Sequence, residues 1–190
     1  MIPEALALAD RGIHDPGTMP FSVPWTDVEL PQRHWDSVRH YHRGWAEFRP
    51  ERWSFPFGSF ADGRLIGVQD LLATDFPTLR TVTTGSWLGR EFQGKGYGKE
   101  QRVAALALAF ERLGAQFAET EAYWDNEPSN AVTRSIGYEP NGQSVQSRRG
   151  KVDRLLHYRL TRDAWDRSRS SLPSVTFDGV DAVLPVLGLI

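Results

Sequence analysis

The spacing of apolar and polar residues predicts a chain of short helices and strands. Residues 3–11 are predicted to form a short helix that Gly12 ends, with Pro3 tolerated in the first turn. Residues 31–48 form a second predicted helix, with large side chains at steps of three and four on one face. Residues 12–27, between them, are rich in Pro and Gly and are predicted to form a loop of unusually apolar content. Three runs of strand character follow, the first two joined by an Asp-Gly turn typical of a hairpin: 53–60, 64–72 and 81–88.

The middle of the sequence predicts a helix that connects two parallel strands. Apolar residues recur on one face of residues 99–113, and residues 116–123 again have strand character. Because a helix intervenes, the strand 116–123 should run parallel to the strand 81–88 through a right-handed crossover. A mixed sheet flanked by helices follows, which is an α/β (α+β) fold.

The last third of the sequence predicts one more helix, a hairpin and an apolar tail. The helix is expected to begin at Ser129 as its N-cap and to end at Gly137. The two strands of the hairpin are 143–148 and 152–160. Residues 175–190 are apolar and should form a further strand or an interface segment, so we predict a domain of residues 1–170 and a C-terminal extension of residues 171–190.

The clearest chemical signal is a glycine-rich stretch between the strand 81–88 and the helix 99–113. It reads Gln93-Gly94-Lys95-Gly96-Tyr97-Gly98. Glycine allows sharp turns with positive φ and leaves the backbone uncovered. Successive free N–H groups in front of a helix N-terminus form a concave site for an anion, so a phosphate or pyrophosphate is the expected guest.

Two better-known phosphate loops do not fit this stretch. A Walker loop needs a Ser or Thr hydroxyl for Mg²⁺ after its lysine, but Lys99 is followed by Glu100. A dinucleotide fingerprint needs its third glycine one residue later than Gly98. What remains is Gln-x-x-Gly-x-Gly, with a plain glycine turn that merely starts a helix as the alternative.

Composition narrows the class of protein. The 190 residues are 40% hydrophobic and 24% charged, which suits one soluble globular domain with a tail. The absence of cysteine excludes disulfides, thiolate metal sites and an acyl-cysteine intermediate. The histidines are too scattered for a paired ligand role, so we expect no metal.

Charge and hydropathy make nucleic acid and membrane unexpected partners. The net charge is −2, and although residues 143–170 hold eight Lys and Arg against three Asp and Glu, a solvated face explains them better than a nucleic-acid patch. The longest apolar run, residues 103–110, is too short to span a bilayer, and no signal peptide is found. A cytoplasmic location is therefore expected.

Three segments together resemble the GNAT acyltransferase superfamily, and within it the group of the ribosomal-protein alanine acetyltransferases. They are GSWLGREFQGKGYGKE (85–100), DNEPSNAVTRSIGYEPNG (125–142) and HYRLTRDAW (157–165). The resemblance covers roughly residues 50–165 and implies the GNAT fold. Such proteins usually begin with a strand, whereas helix pattern starts here at Pro3. Either the C-terminal extension covers the sheet edge left by that strand, or the uncovered edge is available for pairing with a second copy in a homodimer.

The resemblance implies a site for acetyl-CoA or another acyl-CoA as co-substrate. The thioester would lie where the two parallel strands separate, with backbone N–H groups near Leu88 stabilising the oxyanion. The residues expected to bind the cofactor are Trp87, Leu88, Gly89, Gln93, Gly94, Lys95, Gly96, Tyr97, Gly98, Lys99, Asn126 and Asn130.

Direct attack by an amine needs a base for the ammonium proton and an acid for the leaving thiolate. Ser129 matches the serine of the family's Asn-x-x-Ser and is the expected thiolate partner, with tyrosines 97, 123 and 138 as alternatives. Candidate bases are Asp70 and Glu121, with Glu119 beside the latter. Phe21 and Trp25 are expected to line the acceptor pocket.

These observations predict an acyl-CoA-dependent N-acyltransferase that acts on a primary amine of a protein or small molecule. Acetyl-CoA is the first expected donor and succinyl-CoA the second. The alternative from another class is a CoA-binding sensor or interaction module without catalytic activity. A damaged phosphate loop would favour that alternative, but here the loop is intact.

Overall fold

A computed structural model describes residues 1–189. The helices of this part are α1 Ile2–Asp10, α2 Gln32–Ala46, α3 Phe76–Leu79, α4 Tyr97–Ala107, α5 Glu127–Ile136 and α6 Arg162–Ser168. A π-helical turn, Leu108–Arg112, continues α4. The strands are β1 Arg52–Ala61, β2 Arg64–Thr74, β3 Thr81–Leu88, β4 Phe117–Tyr123, β5 Glu139–Arg148 and β6 Lys151–Thr161.

The strands form one mixed sheet in the order β1-β2-β3-β4-β6-β5. Only β3 and β4 run parallel within residues 1–189, and the other neighbours are antiparallel. The crossover from β3 to β4 passes through α4, as the sequence predicts. The α/β class with a mixed sheet flanked by helices is confirmed, and β1 is the first strand that the chain forms.

Helices cover the two faces of the sheet unequally. On one face, α4 and α6 pack over the main core, where Leu106, Phe110 and Trp165 are at most 1% exposed. On the other face, α1 and α2 pack over β1 and β2 around Leu8 and Val68. This second face is called the α1/α2 face below. None of the helices that residues 1–189 form is long and apolar enough to cross a membrane.

The two parallel strands part soon after they meet. Their ladder holds only three pairs, from Thr81 with Phe117 to Thr83 with Glu119. Beyond Thr83 the strands continue for five and four residues without pairing to each other. An opening is therefore formed at their carboxyl ends, and it points towards the glycine-rich stretch that follows β3.

The start of α5 corrects one prediction. The helix begins at Glu127, and its N-cap is Asn126, whose Oδ1 accepts a hydrogen bond from the backbone N–H of Ser129 at 3.4 Å. Ser129 is thus in the first turn and is not the N-cap. Pro128 fits that first turn because the missing N–H would have no partner there. Gly137 ends the helix with φ +107°, as predicted.

The C-terminal residues form no strand as far as residue 189, so the strand alternative is wrong, while an interface segment stays a prediction. Gly179, Pro185 and Gly188 interrupt any extended run, and the tail folds as turns against the main core. Leu187 is 1% exposed, and Asp181 forms an ion pair with Arg112. The tail covers the core beside the end of α4 instead of adding to the sheet.

Candidate active site

The glycine-rich stretch offers a row of free backbone donors. The N–H groups of residues 94–98 make no hydrogen bond to any acceptor within residues 1–189. Gly94 and Gly96 have φ of +72° and +90°, a conformation that side chains with a Cβ rarely adopt. The N-terminus of α4 stands directly behind them. A row of unpaired donors at the positive end of a helix fits a phosphate group.

Gln93, predicted to bind the cofactor, holds the loop in place through its side chain. Its Nε2 donates to the carbonyl of Ile13 at 2.5 Å and to that of Leu88 at 3.0 Å. Both amide hydrogens are thereby used. The backbone N–H of Arg90 also donates to the carbonyl of Gly12. The glycine-rich stretch is thus tied to the end of β3 and to the loop of residues 12–27.

The polar residues at the start of α5 divide into two groups. The amide of Asn130, which is 1% exposed, donates to the carbonyls of Tyr123 and Trp124 and accepts from the hydroxyl of Tyr158. Asn126 caps the helix, so both asparagines serve the fold. The hydroxyl of Ser129, by contrast, makes no hydrogen bond in the described chain. It is free to meet a ligand.

Because the Ser129 hydroxyl is unbonded and the Asn126 side chain caps α5, substitution of these two residues should affect stability differently. We expect Ser129→Ala to lower kcat on the order of 10²-fold if its hydroxyl protonates the thiolate. The free energy of unfolding should change by less than about 0.5 kcal/mol, because no bond is lost. Asn126→Ala is the matched variant and should cost about 1 kcal/mol as a lost cap. Urea unfolding and steady-state kinetics check both, and unchanged kcat for Ser129→Ala would remove this residue from catalysis.

The predicted acceptor residues lie against the end of β3 on the α1/α2 face. The ring of Phe21 is 5.4 Å from that of Trp25, which is 6.1 Å from the ring of Trp87. His14 extends the row, 5.7 Å from Phe21. An aromatic wall therefore leads from the loop of residues 12–27 to β3. Such faces attract ammonium groups.

Asp70 stands on the same face, beside the opening of the strands. It pairs in register with Gly85 of β3, where an added Cβ would lie 3.9 Å from Asp70 Oδ2. Its Oδ1 is buried and has no hydrogen-bond partner in residues 1–189. Burial raises the pKa of Asp70 to about 7. Burial, with the charge of Asp70 as the second cause, raises the pKa of Tyr41 on α2 to about 12.

The other two candidate bases are placed differently. Glu121 is exposed and lies 3.7 Å from the ring of His157, and Glu119 forms an ion pair with Arg159. Both line a cleft of about 200 Å³ on the sheet surface. Of the three carboxylates, Asp70 alone has a buried oxygen without a hydrogen-bond partner in the described residues. It is the group best prepared to accept a proton near neutral pH.

Two arginines that connect the β5–β6 hairpin to the loop of residues 12–27 were not predicted from the sequence. Arg148, on the tip of the β5–β6 hairpin, is 12% exposed and pairs with Asp125 and Asp153. Its Nε donates to the carbonyl of Met19 at 2.8 Å, and its guanidinium lies 4.2 Å above the ring of Tyr123. Arg149 holds the same loop of residues 12–27 through an ion pair with Asp27. Most of the basic residues within 143–170 therefore form ion pairs. Nothing in the composition of this segment indicated that Arg148 and Arg149 hold the loop of residues 12–27.

Arg102 was also missed, because it lies within an otherwise apolar helix. It is 4% exposed and donates to Thr120 Oγ1 at 3.3 Å and to Ser86 Oγ at 3.2 Å. The hydroxyl of Thr120 in turn donates to the carbonyl of Thr84 at 3.0 Å. Polar groups thus bridge the separated strands on the side of α4. No cluster of three metal-ligating side chains occurs in the part that the structure describes.

Comparisons with known proteins find relatives of this chain. The family model of the acetyltransferase (GNAT) domain matches residues 4–139. YdaF of Bacillus subtilis (strain 168), which carries the provisional name ribosomal N-acetyltransferase, is 30% identical over 111 residues, 57% of this chain and 60% of YdaF. The match thus spans less than two thirds of that relative.

Solved structures share the fold. RimJ of Mycobacterium smegmatis, in complex with CoA-disulfide, superimposes with a TM-score of 0.71 at 19% identity, over 90% of this chain and 86% of RimJ. A mutant of the spermidine N-acetyltransferase SpeG from Vibrio cholerae gives 0.60 at 17% identity, over 71% of this chain and 79% of SpeG. At these identities the likeness concerns the fold alone.

Proposed function

Because the chain belongs to the acetyltransferase (GNAT) family, we propose that it transfers an acyl group from acyl-CoA to a primary amine, with acetyl-CoA as the first donor and succinyl-CoA as the second. One observation carries the proposal. The row of free amide donors, residues 94–98, follows the end of β3, and Asp70 of β2, whose Oδ1 is buried, pairs with Gly85 three residues before that end, where β3 has already left β4. One binds an anionic donor and the other accepts a proton.

The donor would be held by backbone more than by side chains. The amides of residues 94–98 would take the pyrophosphate, while Lys95 and Lys99 add positive charge beside it. Residues 87–89 at the end of β3 would hold the pantetheine and thioester, with Ser129 facing them from α5. Gln93, Asn126 and Asn130 act indirectly, since their side chains fix the loop and the helix that carry these groups.

The proposed reaction is a direct transfer. A thioester supplies an acyl carbon that a neutral amine can attack, so a C–N bond forms and the C–S bond breaks. Asp70 takes the proton that the amine loses, and the hydroxyl of Ser129 gives a proton to the leaving thiolate before recovering one from solvent. Glu121 is exposed and paired with His157, which makes it the weaker candidate base.

The acceptor site favours an amine that arrives as a cation. Phe21, Trp25 and Trp87 present aromatic faces, and the carboxylate of Asp70 lies beyond them. The names of the relatives include a ribosomal N-acetyltransferase and a spermidine N-acetyltransferase. A protein amine and a small polyamine are therefore both acceptors to test.

The deciding experiment combines calorimetric titration with a thiol-release screen. We expect acetyl-CoA or succinyl-CoA to bind and to release CoA thiol when a suitable amine is present. Peptide N-termini, lysine peptides and polyamines form the acceptor panel. Binding without turnover on the whole panel would favour the inactive CoA sensor, and absence of binding would exclude both functions.

Three further statements stay predictions from the sequence. They are the division into a domain of residues 1–170 and an extension of residues 171–190, a cytoplasmic location, and a homodimer. The dimer would form on β1, which ends the sheet and exposes Phe57 and Phe60. Pro56 interrupts the donors of this strand, which limits pairing with a second copy.

A further inference from the structure

Arg102 is a buried cation without an acidic partner in residues 1–189. Its side chain is 4% exposed, yet no carboxylate of residues 1–189 lies within 4 Å of it. Its contacts are the neutral hydroxyls of Ser86 and Thr120, with the buried phenol of Tyr138 beside it. The Nε of Arg102 has no hydrogen-bond partner in the described chain. A buried charge is costly unless an opposite charge pairs with it.

The position of Arg102 indicates where a negative charge that pairs with its guanidinium could come from. Its two hydroxyl partners come one from each of the separated strands, just beyond the last ladder pair of Thr83 with Glu119. The function proposed above places the acyl group in this opening, with its carbonyl near Leu88. Acyl atoms beyond the carbonyl would run back along β3 towards Ser86.

The distance along β3 from Leu88, near the acyl carbonyl, to Ser86, beside Arg102, limits the size of the acyl group. Ser86 precedes Leu88 by two residues, about 7 Å along a strand. A four-carbon acyl chain that ends in a carboxylate, plus one charged hydrogen bond of about 2.8 Å, covers this distance. An acetyl group stops well short of the guanidinium. A longer alkyl chain would bring apolar carbon against Thr84, Ser86 and Thr120.

We propose that Arg102 is a specificity residue that binds the terminal carboxylate of a dicarboxylic acyl group. This role reverses the order of donors given above, so that a four-carbon acyl-CoA of the succinyl type is preferred over acetyl-CoA. The inference rests on the proposed function and names its donor class. The carboxylate takes no part in bond making. It pairs with the guanidinium while the thioester carbon reacts at the other end of the acyl group.

Binding to the unaltered protein gives the first test. Two stable thioethers of CoA differ only at the chain end, S-(3-carboxypropyl)-CoA and S-butyl-CoA, and CoA itself is the reference. We expect the carboxylate compound to bind at least about tenfold more tightly than the butyl compound in calorimetry. Equal or weaker binding of the carboxylate compound, with CoA still bound, overturns the inference and leaves the proposed function standing. Absence of binding by all three compounds overturns both.

A variant pair tests the residue itself. In Arg102→Gln the ratio of the two thioether affinities should fall to about 1, while the affinity for CoA stays within about threefold. The control is Gln101→Leu, which removes the neighbouring buried hydrogen bond from Ser59 and should keep the ratio of the unaltered protein. A ratio that stays above about tenfold in Arg102→Gln assigns the discrimination elsewhere and overturns the role of Arg102. If this variant does not fold, the thioether pair on the unaltered protein decides.

Discussion

Replacing Asp70 by Asn is expected to remove activity and to stabilise the protein at the same time. As the proposed base, Asp70 must be ionised to work, and burial raises its pKa to about 7. The kcat/KM of the unaltered enzyme should therefore rise with pH up to about 7 and level off above it. Asp70→Asn should lose this acid limb and lower kcat/KM by about 10²- to 10³-fold.

The stability effect follows from the same raised pKa of Asp70. Between pH 3.8, the ordinary pKa of the group, and about 7, the folded protein keeps a proton that the unfolded chain gives up. Folding is thus favoured fully below pH 3.8, and this stability is lost as pH rises to about 7. Three pKa units correspond to at most about 4 kcal/mol. An Asn side chain stays neutral and avoids the loss above pH 7.

The measurement is thermal unfolding of both proteins at pH 8 and at pH 4, next to the pH profile of kcat/KM. Asp70→Asn should be the more stable protein at pH 8, with a smaller difference at pH 4. Glu121→Gln is the matched variant, since its carboxylate is exposed, and it should change kcat/KM by less than about threefold. A collapse of activity in Glu121→Gln, with an unchanged acid limb in Asp70→Asn, would exchange the two roles.

Most of the fold was predictable because residues close together in the sequence determine its turns, helix ends and strand order. The Asp62-Gly63 pair marks the turn of the first hairpin, and the left-handed conformation of Gly137 ends α5 as predicted. The crossover from β3 to β4 follows from a helix between two strands. These features depend on neighbours a few residues apart. The pattern of apolar positions therefore contains them.

The misplaced parts depend on choices that local sequence leaves open. Asn126 and Ser129 are both good N-caps, and only the folded chain shows that Asn126 is used. The apolar tail could have paired as a strand, but its glycines and proline favour turns, and the core beside α4 offered it a surface. In each case two local solutions compete, and tertiary packing decides between them.

The site was predicted least well where long-range packing sets the chemistry. Asp70 and Tyr41 are 29 positions apart, yet the fold brings them close enough for the charge of Asp70 to contribute to the raised pKa of Tyr41. Arg102 lies in a helix whose apolar stripe gives no reason to bury a cation. Arg148 reaches Met19 from the far end of the chain. The spacing of residues along the sequence does not show which distant residues come into contact in the fold.

Replacing Gly96 by Asp is expected to abolish binding of acyl-CoA. Gly96 has φ +90° and precedes the first residue of α4, within the row of free amide donors. A carboxylate there would occupy the space meant for a phosphate and would repel it. We expect the dissociation constant for CoA to rise by at least about 10²-fold, since several charge-assisted hydrogen bonds are lost together.

The control for this substitution must carry the same strain and the same charge. Gly63→Asp does so, because Gly63 has φ +73° at the tip of the β1–β2 hairpin, with open space around its Cα. Each variant should lose about 1 kcal/mol of stability through the left-handed backbone of a residue with a Cβ, so stability alone cannot explain a difference between them. Calorimetry with CoA should then show near-normal affinity for Gly63→Asp and none for Gly96→Asp. If Gly96→Asp binds CoA as the unaltered protein does, the anion lies elsewhere, and the free amides of residues 94–98 merely begin a helix.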